Sequence, residues 1–453
     1  MADAKAHARA QEVRSGLAAR RNLIEWAVVA ATALVVFGAL ASASARGGNV
    51  AWSYLVSVAI TILTFSIFSL GLSLQFGYTG LLNFGHVAFM AIGAYTYGIV
   101  LINWGEPMAD ALRGGTPAGV LVVLLMALVA GAAVAVPALL ALTSIRARRA
   151  SKGGSGGLGA RALLAVGLGI GALVAVAVFV AFHPLEERGA LNGAAFVAAF
   201  LGVVLAVLAG LLLGLPTVRL REDYLAIVTI GSAEILRNVL VNEPQWTRGT
   251  IGILSFPRPV STWALDLTEH PFFEFVADEY NVRPTDFLYF LVALAILVLV
   301  YALLAGLTRS PWGRVLRAIR EDEDAASSLG KNVLRYKLQS LMVGSGIAAI
   351  AGILYVSYLT NIFPDHFVPL ITFFAFIIVV MGGSGNHKGA IAGSILLWGI
   401  FEIARNLEFL ERFGLRNLAG PPQAIIIGLL LVIVMLFRPQ GLVGSKEELR
   451  YAK

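Results

Sequence analysis

The sequence contains no cysteine and has few charged residues. None of its 453 residues is a cysteine, and only 13% are Asp, Glu, Lys or Arg. The absence of cysteine excludes disulfide bonds, thiolate metal sites and cysteine nucleophiles. Soluble domains carry about 25% charged residues, so this chain has too few to cover a globule of its size with a solvated surface. The composition therefore disfavours an ordinary soluble enzyme, a disordered protein and a nucleic-acid-binding protein.

Apolar residues dominate instead, at 58% of the chain, and the mean hydropathy is +0.81. They form long runs that are separated by basic loops. Because a helix needs about 20 mostly apolar residues to cross the bilayer core, the sequence predicts about twelve spans and an all-α, polytopic integral membrane bundle in a cell membrane. The predicted spans are residues 24–44, 54–76, 84–103, 118–143, 162–182, 193–215, 224–241, 286–307, 338–359, 368–381, 389–407 and 422–437.

Lysine and arginine are concentrated in alternate loops, which predicts the orientation of the chain. Basic residues cluster in segment 1–23 and in the loops 144–161 and 308–337. The positive-inside rule places these segments in the cytoplasm, together with both termini. Loop 242–285 is then extracellular. The first span also resembles a secretory signal, because small residues follow its apolar run, and both interpretations stay open.

Small residues recur at four-residue spacing in two of the predicted spans. Glycine or alanine occupies positions 202, 206, 210 and 214, and again positions 344, 348 and 352. Such spacing lets helix backbones approach closely within a membrane. It predicts helix packing at these faces, although a chain this rich in glycine also meets the pattern by chance.

The sequence lacks the common motifs of catalysis and of nucleotide binding. It has no H-E-x-x-H, no G-x-S-x-G and no G-x-x-x-x-G-K-[ST] motif. A G-x-G-x-x-G pattern at residues 154–159 lies in a Gly/Ser-rich linker with no preceding strand, so we attribute it to chance. We therefore expect that this chain binds no cofactor or metal, and that any ATP-driven step takes place on another subunit.

The loop at 308–337 predicts two short helices. Ser310 before Pro311 is a typical helix start. Arginines end the first helix, as suits its dipole, and a run of acids beginning at Glu321 then favours a break. Asp322 is expected to cap the second helix, and Gly330 to close it in the left-handed conformation. Each helix has an apolar face, formed by Val315 and Ile319 on the first and by Ala325, Ala326 and Leu329 on the second. These faces either dock on a cytoplasmic partner or belong to a solvated loop.

The stretch 77–86 is rich in glycine and predicts an irregular backbone. Non-helical backbone at membrane depth persists only where protein or a water-filled cavity satisfies it. One interpretation is a break between helices near a permeation path, in which Asn83 and His86 satisfy freed backbone groups. The other is a tight cytoplasmic turn. The candidate residues are Gly77, Tyr78, Gly80, Asn83, Gly85 and His86.

Glu234 and Arg237 lie three residues apart within the predicted span 224–241. This spacing lets them pair on one helix face. Ionisable residues inside a membrane usually face the bundle interior or a cavity, which makes the pair a candidate for the pathway. Alternatively, the helix is only partly buried and the pair is an ordinary surface pair.

Several motifs in this chain resemble a known family of transport proteins. Asp324-Ala-Ala-x-x-x-Gly330 is similar to the E-A-A-x-x-x-G loop of ABC-importer permeases, with aspartate in place of glutamate. Five motifs in order resemble LivM-type permeases of branched-chain amino acid importers. They are GYTGLLNFGH at 77–86, LPTVRLR at 215–221 with DYLAIVT at 223–229, GRVLRAIREDE at 313–323, MGGS at 381–384 and RPQGL at 438–442.

The resemblance implies a permease subunit of an ATP-driven importer. It implies a homologous second permease, two ATPase subunits that bind ATP and Mg, and an extracellular substrate-binding protein that contacts loop 242–285. It also implies a core of about ten spans, to which residues 144–198 add an inserted linker and helical hairpin. Coupling to the ATPase subunits is expected at Val315, Ile319, Arg320, Asp322, Asp324, Ala325, Ala326, Leu329 and Gly330.

Two alternatives stay open at this point. An importer of urea or short-chain amides has the same fold, and its substrate would be selected by the binding protein. A self-powered secondary transporter should instead carry buried carboxylates near the middle of the membrane. Glu234 and Glu402 are the only acids clearly inside the predicted spans.

Overall fold

The computed structural model describes most of the predicted spans. The described residues are 22–41, 52–113, 187–254, 271–406, 428, 429, 432, 436 and 441–443. The predicted spans 118–143 and 162–182, most of span 422–437, most of the expected insertion and both chain ends lie outside these residues.

Long helices form almost all of the described structure. We number them α1 (Asn22–Ala41), α2 (Trp52–Leu72), α3 (His86–Arg113), α4 (Glu187–Thr217), α5 (Glu222–Asn242), α6 (Pro271–Tyr280), α7 (Pro284–Arg309), α8 (Pro311–Glu321), α9 (Glu323–Ser328), α10 (Val333–Leu359), α11 (Leu370–Gly382) and α12 (His387–Asn406). The predicted all-α membrane fold is confirmed.

Eight described helices are long and apolar enough to cross a membrane. Each coincides with a span that the sequence predicts, and α12 coincides with the predicted span 389–407. The eight helical stretches are Asn22–Ala41, Trp52–Tyr78, His86–Asn103, Ala195–Thr217, Asp223–Asn242, Pro284–Arg309, Val333–Leu359 and Pro364–Gly382.

The helices divide into an inner and an outer group. In α2, α3 and α10, between 72% and 78% of the residues in the most apolar stretch are buried, whereas the figure is 22% in α4 and α5 and 28% in α7. The inner helices are surrounded by other helices and are apolar on every side, as expected for helices at the centre of a bundle. The outer helices expose large apolar side chains that suit contact with lipid or with another subunit.

Small residues bring the inner helices together. Gly93 on α3 packs directly on the backbone of Ala349 on α10, and a Cβ atom at Gly202 on α4 would lie 2.9 Å from the carbonyl oxygen of Gly93. Gly352 on α10 meets the carbonyl group of Met90 in the same way. The small-residue spacing in the sequence therefore does mark faces where helices approach closely.

Short elements connect the helices at one end of the bundle. After α5 the chain forms a helical turn, Pro244–Thr247, and a 3₁₀ turn, Gly249–Ile251. Strand β1 (Ile253–Leu254) then pairs antiparallel with strand β2 (Asn361–Ile362) after α10. A second 3₁₀ turn, Pro364–Phe367, leads into α11.

Helix α11 is too short to cross a bilayer alone. Its 13 residues extend about 20 Å, whereas a bilayer core is about 30 Å thick. Together with the 3₁₀ turn Pro364–Phe367 before it, α11 forms the 19-residue stretch Pro364–Gly382, which is long enough to be a candidate span. The short predicted span 368–381 is thus a partial helix that follows a non-helical segment.

Candidate functional site

The glycine-rich stretch is a break between two inner helices. Helix α2 continues directly into a π-helical segment, Ser73–Tyr78, and the chain then turns before α3 begins at His86. Gly80 adopts a φ of +78°, which glycine tolerates without strain. Single-turn π-helical segments are found frequently at functional sites.

Buried polar side chains satisfy the backbone of this break. The Asn83 Oδ1 atom accepts a hydrogen bond from the Gly85 amide at 3.1 Å, and its Nδ2 atom donates to Gln75 Oε1 at 2.9 Å. The Nε2 atom of His86 lies 3.2 Å from the carbonyl oxygen of Phe68. Asn83 and His86 thus bond to backbone groups, as the first interpretation expects, and their position on a permeation path stays a prediction.

Helix α5 contributes a cap to the same break. The Thr229 hydroxyl accepts a hydrogen bond from the Phe84 amide at 3.1 Å. Gly85 packs directly against the carbonyl group of Thr229, where a Cβ atom would clash. The motif at 223–229 therefore meets the motif at 77–86.

The predicted two-helix loop is present at α8 and α9. Asp322 separates the two helices, and its Oδ1 atom accepts a hydrogen bond from the Ala325 amide at 2.9 Å. Gly330 closes α9 with a φ of +74°. Ser310 occupies the N-cap position of α8, but its hydroxyl donates to the carbonyl oxygen of Leu307 instead of capping the helix.

The buried face of this loop differs from the predicted docking face. Ile319 and Ala326 are only 1% and 3% exposed, and Leu316 is fully buried with them. These side chains are buried within this chain, and the contact of Ile319 and Ala326 with a partner stays a prediction. An amphipathic pattern shows which residues share a face but does not show what that face packs on.

The opposite side of the loop remains open. Leu329 is 78% exposed, and Val315 is half-buried. The other predicted coupling residues with exposed positions are Arg320, Asp322, Asp324, Ala325 and Gly330.

Two arginines of α8 contact the end of the π-helical segment. The Arg320 Nη1 atom donates a hydrogen bond to the carbonyl oxygen of Gly77. The Arg317 guanidinium carbon lies 5.4 Å from the centre of the Tyr78 ring, a cation–π arrangement. The Tyr78 ring also stacks on His387, with ring centres 4.6 Å apart.

The two remaining motifs join the same place. A Cβ atom at Gly77 would lie 2.6 Å from the amide nitrogen of Gly385. The Leu442 amide donates to the carbonyl oxygen of Met381 at 2.8 Å, and the Val443 amide donates to that of Gly382 at 3.0 Å. Parts of all five motifs therefore meet in one cluster. We call it the motif junction and define it by residues 73–86, 229, 313–320, 381–388 and 441–443.

Helix α1 is attached to the motif junction by a buried lysine. The Lys388 Nζ atom lies 3.0 Å from Glu25 Oε2 and 5.2 Å from the centre of the Trp26 ring. The Lys388 side chain is only 4% exposed and that of Glu25 15% exposed. Sequence analysis missed this pair, since its members are separated by almost the whole chain.

Glu234 and Arg237 form a pair elsewhere, on α5. The Arg237 Nη2 atom lies 2.7 Å from Glu234 Oε1, and the Nε atom donates to both carboxylate oxygens at 3.1 Å. The Nη1 atom lies 3.7 Å from Asp365 Oδ1, in the 3₁₀ turn before α11. We call these three residues the α5 ion cluster. The side chains of Glu234, Arg237 and Asp365 are 39%, 25% and 88% exposed, so the cluster lies at a surface of this chain.

No metal site is evident in the part of the chain that the structure describes. Within it, no three His, Asp or Glu side chains are placed so that they could hold a metal ion. The geometry of the motif junction is one of packing and hydrogen bonding between helix ends.

Comparison with protein families identifies the chain's relatives. A model of the branched-chain amino acid transport system permease component matches residues 54–150 and 157–435. The chain belongs to this family. The matched residues of this permease include much of the stretch 144–198, whose interpretation as an insertion stays a prediction.

Individual relatives agree with the family. The permease is 35% identical to the high-affinity branched-chain amino acid transport system permease protein LivM of Escherichia coli, over 51% of this chain and 53% of the relative. It is 26% identical to the "Probable branched-chain amino acid transport permease protein LivM" of Methanocaldococcus jannaschii, over 86% of this chain and 94% of the relative. It is 30% identical to the high-affinity branched-chain amino acid transport system permease protein LivH of Escherichia coli, over 30% of this chain and 41% of the relative.

Some of these relatives are matched over only part of their length. The permease spans about half the length of the Escherichia coli and Salmonella typhimurium LivM proteins that it matches. No solved structure matches it. Its family is one of transport components, so the permease is a multi-pass membrane protein and not an enzyme.

Proposed function

We propose that this permease is a subunit of an ATP-driven importer for branched-chain or other hydrophobic amino acids. The observation that carries the proposal is the motif junction, where α8 contacts the broken end of inner helix α2. In the assembled importer, the chain pairs with a homologous second permease in the cell membrane. Two ATPase subunits bind ATP and Mg, and an extracellular binding protein delivers the substrate.

The exposed side of the α8–α9 loop is the surface that the ATPase subunits contact. Leu329 is a large apolar side chain with 78% of its surface exposed, at the end of α9. Acidic side chains at Asp322 and Asp324 precede it in the sequence. A groove on an ATPase subunit that covers Leu329 would stabilise the contact by removing apolar surface from water.

Two arginines of α8 transmit the movement. Arg320 holds the carbonyl group of Gly77, and Arg317 lies over the ring of Tyr78. Both contacts are at the end of the π-helical segment that continues α2. Helix α2 is an inner helix, since 72% of the residues in its most apolar stretch are buried. A displacement of α8 therefore moves a helix at the centre of the bundle. This is how ATP binding would switch the access of the pathway.

The carboxylates inside the described spans support an ATP-driven importer more than they support a self-powered carrier. Glu234 pairs with Arg237, and Glu402 Oε2 accepts a hydrogen bond from the Tyr54 hydroxyl at 2.7 Å. A carrier driven by protons needs a carboxylate that releases and regains its proton during each cycle. A carboxylate fixed by an adjacent guanidinium is poorly suited to that role.

The test uses the full complex, reconstituted in liposomes with its second permease, ATPase subunits and binding protein. We expect Arg320→Ala to reduce leucine uptake by about 10-fold while ATP hydrolysis continues, because a hydrogen bond from a charged group is lost. Arg314→Ala is the matched control, since Arg314 is an exposed arginine on the same helix. Equal uptake by the Arg320→Ala complex and the wild type would contradict the coupling role.

Purification in mild detergent tests the assembly separately. We expect the permease to co-purify with the ATPase subunits and to transport only when ATP is present. Transport by the isolated permease in liposomes without ATP would instead show that it is a self-powered carrier.

A further inference from the structure

We propose that the α5 ion cluster, together with Tyr95, is a transit site for a zwitterionic amino acid with an aliphatic side chain. Arg237 binds the carboxylate of the substrate, and Asp365 binds its ammonium group. This inference rests on the proposed function and assigns a substrate-binding role to residues outside the motif junction.

The cluster lies on two candidate membrane spans, with Glu234 and Arg237 within Asp223–Asn242 and Asp365 near the start of Pro364–Gly382. Glu234 is about 18 Å along the axis from the start of α5 at Glu222, and α11 extends about 20 Å from its far end back to Leu370. Glu234 is therefore more than half-way along α5, and the 3.7 Å contact between Arg237 and Asp365 brings the start of the second span to the level of Arg237. Ionisable side chains within membrane spans rarely face lipid and typically mark a substrate or ion pathway.

Arg237 is held in position and still presents donors. Its Nε and Nη2 atoms are bonded to Glu234, which fixes the plane of the guanidinium group. Its Nη1 atom lies 3.7 Å from Asp365, which is longer than a hydrogen bond. Because a guanidinium group can donate in several directions in its plane, the Nη1 edge can donate to the carboxylate of a substrate.

Asp365 is the matching group for an ammonium ion. It lies in the 3₁₀ turn Pro364–Phe367, between α10 and α11, with its side chain 88% exposed. The loose contact with Arg237 leaves this carboxylate able to turn towards a cation. A positive and a negative group side by side match the two charged groups of an amino acid, whereas an anion or a cation alone would satisfy only one of them.

Buried polar atoms beside the turn point to a ligand independently. Tyr95 is only 3% exposed, and its hydroxyl has no hydrogen-bond partner among the described residues. The centre of the Tyr95 ring lies 5.9 Å from that of Phe367, which belongs to the same turn as Asp365. The Nδ1 atom of His366 is likewise buried without a described partner. Buried polar groups normally are hydrogen-bonded, and a bound substrate would supply the missing partner for Tyr95.

Apolar residues are exposed on the same two spans as the cluster. Ile227 lies seven residues before Glu234, hence on the same face of α5, and is 66% exposed. Leu370, at the start of α11, is 54% exposed. They give the surface of these two spans an apolar character, which suits a substrate with an aliphatic side chain.

The first experiment measures transport by the complete complex in liposomes. We expect Arg237→Gln and Asp365→Asn each to lower ATP-dependent leucine uptake by about 10-fold, because each removes one charged partner of the substrate. ATP hydrolysis should continue, so the ATP consumed per leucine should rise by the same factor. The matched control is Glu402→Gln, which changes a different carboxylate within a helix and leaves uptake unaltered.

The second experiment measures binding of radiolabelled L-leucine to the assembled complex in nanodiscs without the binding protein. We expect Arg237→Gln, Asp365→Asn and Tyr95→Phe to weaken binding, while unfolding temperatures stay at the wild-type value. L-leucinamide, which lacks the carboxylate, and isocaproate, which lacks the ammonium group, should not compete. Competition by either analogue, or unaltered binding in the variants, would overturn the site.

The two proposals fail in different ways. If the wild-type complex takes up no amino acid in the presence of ATP, the proposed function is overturned. In that case the binding experiment still tests the site, and weaker leucine binding by the variants than by the wild type would support it. If the wild-type complex is active and the variants keep wild-type uptake, the cluster is a structural ion pair only and this site is overturned.

Discussion

The motif junction and the α5 ion cluster differ in burial and in how they are built. At the junction, Asn83 and His86 are at most 1% exposed, and His387 is 4% exposed. In the cluster, Asp365 is 88% exposed. The junction lies where five resembling motifs meet, whereas the three residues of the cluster lie outside all of them. Family motifs in this chain therefore mark the places where helices must fit together, and the proposed transit site lies outside them.

Glycine explains much of that difference. Gly77 packs on Gly385, and Gly441 packs on Gly383, with distances that leave no room for a Cβ atom. In the α5 ion cluster, long charged side chains span the gap between α5 and the 3₁₀ turn. We therefore expect substitutions of the closely packed groups at the junction to lower stability, and substitutions at the cluster to change transport with little effect on stability.

The largest effect is expected where α1 meets the junction. Lys388→Met leaves the half-buried Glu25 carboxylate without its lysine, and we expect a loss of about 3 kcal/mol in the free energy of unfolding. Chemical denaturation in mixed micelles measures it. The double variant Lys388→Met with Glu25→Leu should recover most of the loss, because no uncompensated charge then remains. A single variant within about 1 kcal/mol of the wild type would show that the junction does not depend on this pair.

A smaller loss of stability is expected from a methyl group inside the junction. Gly77→Ala forces the backbone away from Gly385, and we expect a loss of about 1–3 kcal/mol in the same measurement. Gly231→Ala on α5 is the control, since a Cβ atom there meets nothing within 4 Å. If both variants lose equal stability, close packing does not distinguish the junction.

The exposed side of α9 allows function to be separated from stability. We expect Leu329→Ser to weaken binding of the ATPase subunits by about 10-fold, as removal of a buried leucine contact would. The unfolding temperature of the permease should not change, because Leu329 is 78% exposed. Leu220→Ser alters another exposed leucine, in the bend between α4 and α5, and should leave ATPase binding unchanged. Pull-down with graded concentrations of the ATPase subunit gives both affinities.

The smallest effect on stability is expected in the α5 ion cluster. Glu234→Gln should change the free energy of unfolding by less than about 1 kcal/mol, because pairs this exposed contribute little. Leucine uptake should nevertheless fall, since Arg237 would lose the partner that fixes its plane. A stability loss as large as that of Lys388→Met would remove the distinction between the two regions.

Local signals in the sequence predicted the helices and their ends well. Asp322 and Gly330 mark the break and the end of the α8–α9 loop, because capping and left-handed backbone depend on the residue itself. The apolar runs likewise coincide with the described helices. Such features are decided within a few residues of sequence, which is why a single chain suffices to predict them.

Features that depend on distant contacts could not be predicted. Ile319 packs inward because α8 lies on this chain's own helices, and no pattern within α8 shows that. Lys388 meets Glu25 only after the whole bundle has formed. Asp365 meets Arg237 because the 3₁₀ turn before α11 packs beside α5, and no pattern within either segment shows that.

The contact between Arg320 and Gly77 has a consequence for how the permease responds to its surroundings. The carbonyl end of a helix carries a partial negative charge, and this end of α2 attracts the guanidinium group without any acidic side chain. Neither a backbone carbonyl nor an arginine changes its protonation at physiological pH. The attachment of α8 to the central helix should therefore hold equally well in acidic and in neutral cytoplasm.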